Sequence, residues 1–322
     1  MTIIKPKLVT VFGGSGFIGR HVVRALAKRG YRIRVAVRRP DLAFHLQPLG
    51  GVGQIQAVQA NLRYRWSVDR AVAGSDHVIN LVGLLFESGS QKFSTVHDFG
   101  ARAVAEAARA AGVPLTHMSA LGADPRSHSA YASTKGRAEA AVRDILPEAV
   151  IIRPSIVFGP EDNFFNKFGS MARMSPFLPL IGGGNTKFQP VYVGDVAEVI
   201  ARSVDGTLTP GQTYELGGSE VLTFKQCLEA VLRVTGRKRL FVSIPFWVAK
   251  IQGKILGYLP KPMLTKDQVV LLQHDNVVSH AAKAEQRTLE GIGIHPQTIE
   301  AILPSYLWRF RSHGQYSSQT PV

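Results

Sequence analysis

A run of glycines near the N-terminus is the first feature that could do chemistry. Gly13-Gly14-Ser15-Gly16-Phe17-Ile18-Gly19 reads G-x-x-G-x-x-G, with Gly13, Gly16 and Gly19 at the spaced positions. Such a turn suits a dinucleotide. The first glycine permits a tight turn, the second lets a pyrophosphate approach the backbone, and the third lets helix and strand pack closely. A helix opening at Phe17 and Ile18 then offers free N–H groups and about half a positive charge to the anion. Arg38 and Arg39 follow a second apolar run. NAD-binding folds usually place an acid there to grip the ribose 2′-hydroxyl. A guanidinium can instead bind a 2′-phosphate that a carboxylate would repel, so the pair predicts a preference for NADP(H).

These residues need a sheet and helices to hold them. Lys7 to Phe12 reads as a buried parallel strand. Ile18, Val22, Val23 and Leu26 recur at helical spacing up to Arg29, and Gly30 ends that helix. Further strands are expected at 32–37, 55–58, 77–82, 115–119 and 150–152, and helices at 94–111 and 134–146. The alternation predicts an α/β fold, a Rossmann doubly wound parallel sheet with a smaller C-terminal α/β lobe. The dinucleotide-binding domain is expected over 1–160, with 189–206 returning to it as a strand at 189–193 and a helix at 196–204. Residues 161–188 and 207–311 are assigned to the smaller lobe, and 312–322 to a frayed tail. Thr223 and Gln226 have the spacing of a capping box, and Cys227 beside Leu228 and Val231 reads as core.

Composition narrows the classes. Among 322 residues, 45% are hydrophobic and 19% charged, which excludes disorder for the bulk of the chain. The single cysteine excludes an internal disulfide or a cysteine zinc site. The histidines lack metal-binding spacing, so no metal is expected, and there is no G-x-S-x-G elbow and no nucleic-acid motif. Lys plus Arg number 38 against 23 Asp plus Glu, a net charge of +15 that favours anionic partners, though not nucleic acid. No leader is expected before the first strand, and no apolar run reaches the ~18 residues of a membrane span.

The sequence resembles the extended, atypical short-chain dehydrogenase/reductases. The resemblance rests on Gly13 to Gly19, Tyr131-Ala-Ser-Thr-Lys135, Arg153 to Pro160, and Val191 to Val196. A narrower one runs nearly end to end. Residues 158–164, 189–193, 264–269, 275–278 and 289–296 are similar to the dehydrogenase-like accessory subunit of respiratory complex I. That likeness implies a tightly held NADPH and partners among complex I subunits of the peripheral arm near the membrane. The implied place is peripheral, on the cytoplasmic face of a bacterial inner membrane, or on the matrix side of the mitochondrial one. In the broad family the tyrosine donates a proton. Tyr131 and Lys135 stand four apart on one helical face, where the lysine would lower the phenol pKa and reach the nicotinamide ribose.

The serine of active relatives lies a residue or two beyond the position that Ser119 matches, and here Ala120 and Leu121 stand there. The proton relay is therefore expected to be incomplete, with Tyr131 and Lys135 serving first as cofactor contacts and no catalysis by this chain itself. The resemblance further places Pro154, Ile156 and Val157 at the nicotinamide end, Asn61 and Leu62 at the adenine, and Leu81, Val82 and Gly83 under the adenosine ribose. The alternative is a free NADP(H)-dependent reductase or epimerase with Tyr131 as acid. Asp195 is expected to cap the helix after it.

One more stretch suggests a contact surface. Over 240–259, Trp247, Val248, Ile251, Ile255, Tyr258 and Leu259 share an arc flanked by Lys250 and Lys254, with Lys261 following. This reads as an amphipathic helix with cationic edges, suited to an anionic membrane surface or an apolar partner.

Overall fold

The computed structural model describes residues 6–89, 91–256 and 264–312, with Ile255 and Leu256 described as backbone only. Its centre is a seven-stranded parallel sheet. The strands are β1 (Leu8–Phe12), β2 (Arg32–Val37), β3 (Ile55–Gln59), β4 (His77–Asn80), β5 (Leu115–Met118), β6 (Val150–Pro154) and β7 (Thr213–Leu216). Their spatial order is 7-6-5-4-1-2-3. Register runs Val9 to Ile33 on one side of β1 and Val9 to His77 on the other. Chain order reverses at β1, so the loops after β1 and β4 part and leave a crevice at their C-terminal ends.

Helices cover both faces because parallel strands need crossovers. The helices α1 (Phe17–Lys28), α2 (Arg65–Val72), α3 (Gly100–Ala111), α4 (Ala130–Ile145), α5 (Phe165–Met174), α6 (Val193–Asp205), α7 (Phe224–Thr235), α8 (Phe246–Leu256) and α9 (Lys266–Leu271) follow in order. On one face Val22, Val23 and Leu26 of α1 and Val196, Val199 and Ile200 of α6 are buried with Val9, Val11 and Val35 of the sheet. On the other, the alanines of α3 let it lie close to Phe12, Val78 and Leu115. The smaller lobe has a separate core, rich in rings: Phe158, Phe165, Phe168, Phe188 and Phe224 pack with Tyr306 and Phe310. Cys227 is buried in it, and Thr223 and Gln226 form the expected capping box.

Several boundaries differ from the sequence reading. Thr213–Leu216, expected in the smaller lobe, is the edge strand of the main sheet, paired in parallel with β6. Leu289 and Ile294 likewise join the large-lobe core. α4 begins at Ala130 rather than 134, because Ser129 caps it by accepting the Ala132 N–H. α6 begins at Val193, so Asp195 lies inside its first turn. Its carboxylate accepts the Gln297 N–H and does not cap the helix. The 189–193 strand is only Val191–Tyr192. Residues 94–99 are π-helical, not α-helical. The first residues of the 240–259 stretch form a strand, Leu240–Ile244, paired in parallel with Phe177–Ile181. Tyr258, Leu259 and Lys261 lie outside the described residues, as does the tail beyond Ser312. Among the described residues no helix is long and apolar enough to cross a membrane.

Candidate functional site

The turn after β1 adopts the form that the glycines require. Gly13 has φ +78°, in the left-handed region. A Cβ on Gly19 would stand 2.3 Å from Gly13 O, so only glycine lets α1 sit this close to the turn. Around Gly16 a Cβ would meet only Gly13 O, at 3.3 Å. Gly14 also matters, which the spacing did not reveal: its Cβ would press on Val35 Cγ1 at 2.9 Å. Gly16 is the N-cap of α1, with no side-chain cap and no acid in the first turn. The free amides over Phe17, Ile18 and Gly19, beside Ser15, thus face the crevice as an anion site.

At the end of β2 the two arginines part company. Arg39 is bridged to Asp41 at 2.7 Å within its own turn. Arg38 is exposed, and among the described residues no carboxylate pairs with it. One guanidinium, not two, is left for a 2′-phosphate. Beyond β3, Asn61 Oδ1 accepts the Arg63 N–H at 3.2 Å. Leu62 is buried against Gly100, where a Cβ would stand 2.8 Å from Leu62 Cδ1. Leu81 and Val82 border the glycine turn, since a Cβ on Gly13 would lie 3.2 Å from both their backbones.

The far half of the crevice is a buried polar cluster. Lys135 Nζ donates to Met118 O at 3.0 Å, and a Cβ on Gly83 would lie 3.3 Å from that same nitrogen. Burial lowers the Lys135 pKa to about 8, against the opposing pull of Glu139. His97 Nε2 accepts the Leu84 N–H at 2.9 Å, so Nδ1 carries the proton and donates to Thr134 Oγ1 at 3.1 Å. Burial, then the nearby Lys135 charge, pushes His97 down to about 2 and keeps it neutral. Asn80 Oδ1 accepts the Val82 N–H and its Nδ2 donates to His117 Nδ1 at 3.3 Å. His117 Nε2 and Ser119 Oγ are buried without a partner among the described residues. A buried polar atom left unpaired is costly, and a bound group at this place would relieve it.

Tyr131 is half-buried, edge-on to His97 with ring centres 5.5 Å apart and to Phe93 at 6.0 Å. Burial first, then the Asp267 charge, raises the phenol pKa to about 12, opposite to the lowering expected from Lys135. Pro154 ends β6 beside Leu121, whose N–H bonds Pro154 O at 3.0 Å. Ile156 and Val157 follow it, with Ile156 O accepting the Val191 N–H. The structure thus brings the predicted residues to one end of the sheet. Asn80, His97, His117 and Thr134 are additions. Their only sequence signal is polarity inside apolar segments, and their partners come from separate elements.

A nicotinamide dinucleotide fits these residues: an uncapped helix end for the pyrophosphate, side-chain-free backbone at Gly16, a free guanidinium at Arg38, and Lys135 with orphaned Ser119 and His117 at the far end. Comparisons with known proteins agree on this type of fold. A model of the NAD dependent epimerase/dehydratase family matches residues 9–217. The chain is 34% identical over 320 residues to NADH dehydrogenase (ubiquinone) 1 alpha subcomplex subunit 9 of Arabidopsis thaliana, covering 95% of this chain and 79% of that one. It is 32% identical over 312 residues to the NADH-ubiquinone oxidoreductase 40 kDa subunit of Neurospora crassa, covering 95% and 80%. The dTDP-glucose 4,6-dehydratase of Streptomyces venezuelae, solved with NAD, superposes with a TM-score of 0.71 over 94% of this chain and 96% of that one, at 20% identity. The chain therefore belongs to the NAD dependent epimerase/dehydratase family, in the branch that holds these NADH dehydrogenase subunits.

Proposed function

We propose that this chain is an accessory subunit of respiratory complex I that holds NADPH without turning it over and supports the peripheral arm near the membrane. The observation that carries the reading is the near-complete match to the plant and fungal NADH dehydrogenase subunits, whose names place them in that enzyme. The crevice supports the cofactor part. Its pyrophosphate would rest on the α1 amides, its 2′-phosphate on Arg38, and its nicotinamide ribose near Tyr131 and Lys135. When bound, the group supplies a hydride-carrying ring. This chain's residues are poorly equipped to protonate a substrate beside it. The Tyr131 phenol is raised to about 12 by burial and Asp267. No serine hydroxyl other than Ser119 lies just past β5, and Ala120 and Leu121 fill the next places.

The location proposed is peripheral, on the cytoplasmic face of a bacterial inner membrane. The exposed side of α8 and the net charge of +15 favour an anionic or apolar neighbour there. Gentle detergent extraction tests the reading. The chain should co-migrate with other complex I subunits and keep NADPH through washing. Isolation as a free protein that oxidises NADPH with a carbonyl substrate, with activity abolished by Tyr131→Phe, would replace it with the reductase reading.

A further inference from the structure

Two stretches picked out by resemblance, 264–269 and 275–278, are not among the residues that the sequence assigns to the dinucleotide. The structure gives them another task. α9 opens with a capping box, Thr265 and Gln268, and Asp267 lies in its first turn. The Asp267 carboxylate reaches across to the N-terminus of α4. It accepts the Ser129 hydroxyl at 2.9 Å, the Ala130 N–H at 2.7 Å and the Tyr131 N–H at 3.2 Å. A carboxylate carried by α9 therefore sits on the positive N-terminal end of α4, where its charge is stabilising. Nearby, Asn276 clasps two loops of the large lobe. Its Oδ1 accepts the Ser155 hydroxyl at 2.7 Å, and its Nδ2 donates to Leu121 O at 3.3 Å.

On its other side the same segment is locked to α8. A Cβ on Gly253 would stand 2.8 Å from Lys266 N and 2.9 Å from Thr265 C, so α8 and the start of α9 are in backbone contact. Ala249 of α8 is buried with Val269 of α9 and Ile181. The opposite side of α8 carries Trp247, 68% exposed, and Ile251, 55% exposed. A contiguous path runs from this exposed side through Gly253 and Asp267 to Tyr131, and one helical turn further to Lys135.

We propose that Asp267 is a positioning residue that ties the nicotinamide end of the crevice to the surface helix α8, so that cofactor binding and the state of α8 are thermodynamically linked. The proposal rests on the reading that NADPH lies along Tyr131 and Lys135. Linkage is reciprocal: whatever holds α8 in place strengthens cofactor retention, and the cofactor in turn steadies α8.

Two measurements on the full chain test it. Asp267→Asn removes the charge at the α4 N-terminus while keeping the shape. It should weaken NADPH binding about tenfold, the scale of charge-assisted hydrogen bonds. It should leave adenosine 2′,5′-bisphosphate, which reaches the Arg38 and α1 end but not Tyr131 or Lys135, unchanged, and Asp267→Glu should restore most of the lost affinity. In the wild type, NADPH should slow backbone hydrogen exchange in peptides spanning 246–256, and this slowing should vanish in Asp267→Asn. Equal weakening of both ligands would mean a merely structural residue. Unchanged NADPH affinity, or no effect of NADPH on exchange in α8, would overturn the proposal. Should Asp267→Asn not fold, the wild-type exchange experiment decides alone. A wild type that binds no NADPH at all would instead refute the cofactor reading on which this rests.

Discussion

Arg38 is an exposed guanidinium with no carboxylate paired to it among the described residues, at the strand end where an acid would select the unphosphorylated cofactor. Reversing its charge should matter for one ligand only. Arg38→Asp should weaken NADPH about tenfold to hundredfold, from a charged hydrogen bond of roughly 1.5–3 kcal/mol, and barely change NADH. Equal losses in a binding titration would remove the 2′-phosphate role. The buried histidines make a second residue-scale prediction. Burial holds His77 at about 4, His97 at about 2 and His117 at about 3. Unfolded, each titrates near 6.5. Below that pH the unfolded chain binds more protons than the folded one, so stability falls as pH falls, by about 1.4 kcal/mol per unit for each histidine. Urea unfolding at pH 7 and pH 5 should show His117→Gln losing about 2 kcal/mol less than wild type over that interval. An identical loss would mean that His117 is not held neutral. The Arg38 end was legible in the sequence because a turn and a strand end fix it locally. The cluster of Asn80, His97, His117 and Thr134 was not. Its members meet only after four separate segments pack, and nothing in their spacing encodes that.

Among the elements, the turn into α1 is the most tightly specified. Gly19→Ala would drive a Cβ to 2.3 Å from Gly13 O, and overpacking of this kind typically costs about 1–3 kcal/mol. A thermal melt should show that loss together with weakened dinucleotide binding, whereas a neutral Gly19→Ala would mean that the turn relaxes freely. α8 carries a prediction of its own. With Trp247 and Ile251 exposed and Lys254 beside them, the isolated protein should bind anionic vesicles in a salt-sensitive way. Trp247→Glu should reduce that binding, and indifference to lipid would leave a protein neighbour for α8. Long periodicity marked α1 from end to end and α3 over its second part, Gly100–Ala111. Element reading failed where local and tertiary signals competed. Leu240–Ile244 continues the apolar pattern of the helix after it, but Pro245 separates the two and Phe177–Ile181 offers a strand to pair with. Thr213–Leu216 is a four-residue strand with two polar members, too short to stand out. α4 starts early because Ser129 and Asp267 together satisfy its first amides, and the second lies far along the chain.

At the scale of the molecule, a parallel sheet with its own core and a ring-rich smaller core meet over the C-terminal ends of β5 and β6, where Ser155, Asn276 and Asp267 fasten them. The parallel sheet and its crossover helices were visible in the sequence as alternating strand and helix patterns. The return of 213–216 and 289–294 to the large lobe was not, because short segments between lobes carry no compositional mark. Titration of the wild-type protein with NADPH and NADH measures directly which dinucleotide the crevice selects. NADPH should bind at least about tenfold more tightly. NADH binding equally well or better, or neither nucleotide binding, would contradict the NADPH reading.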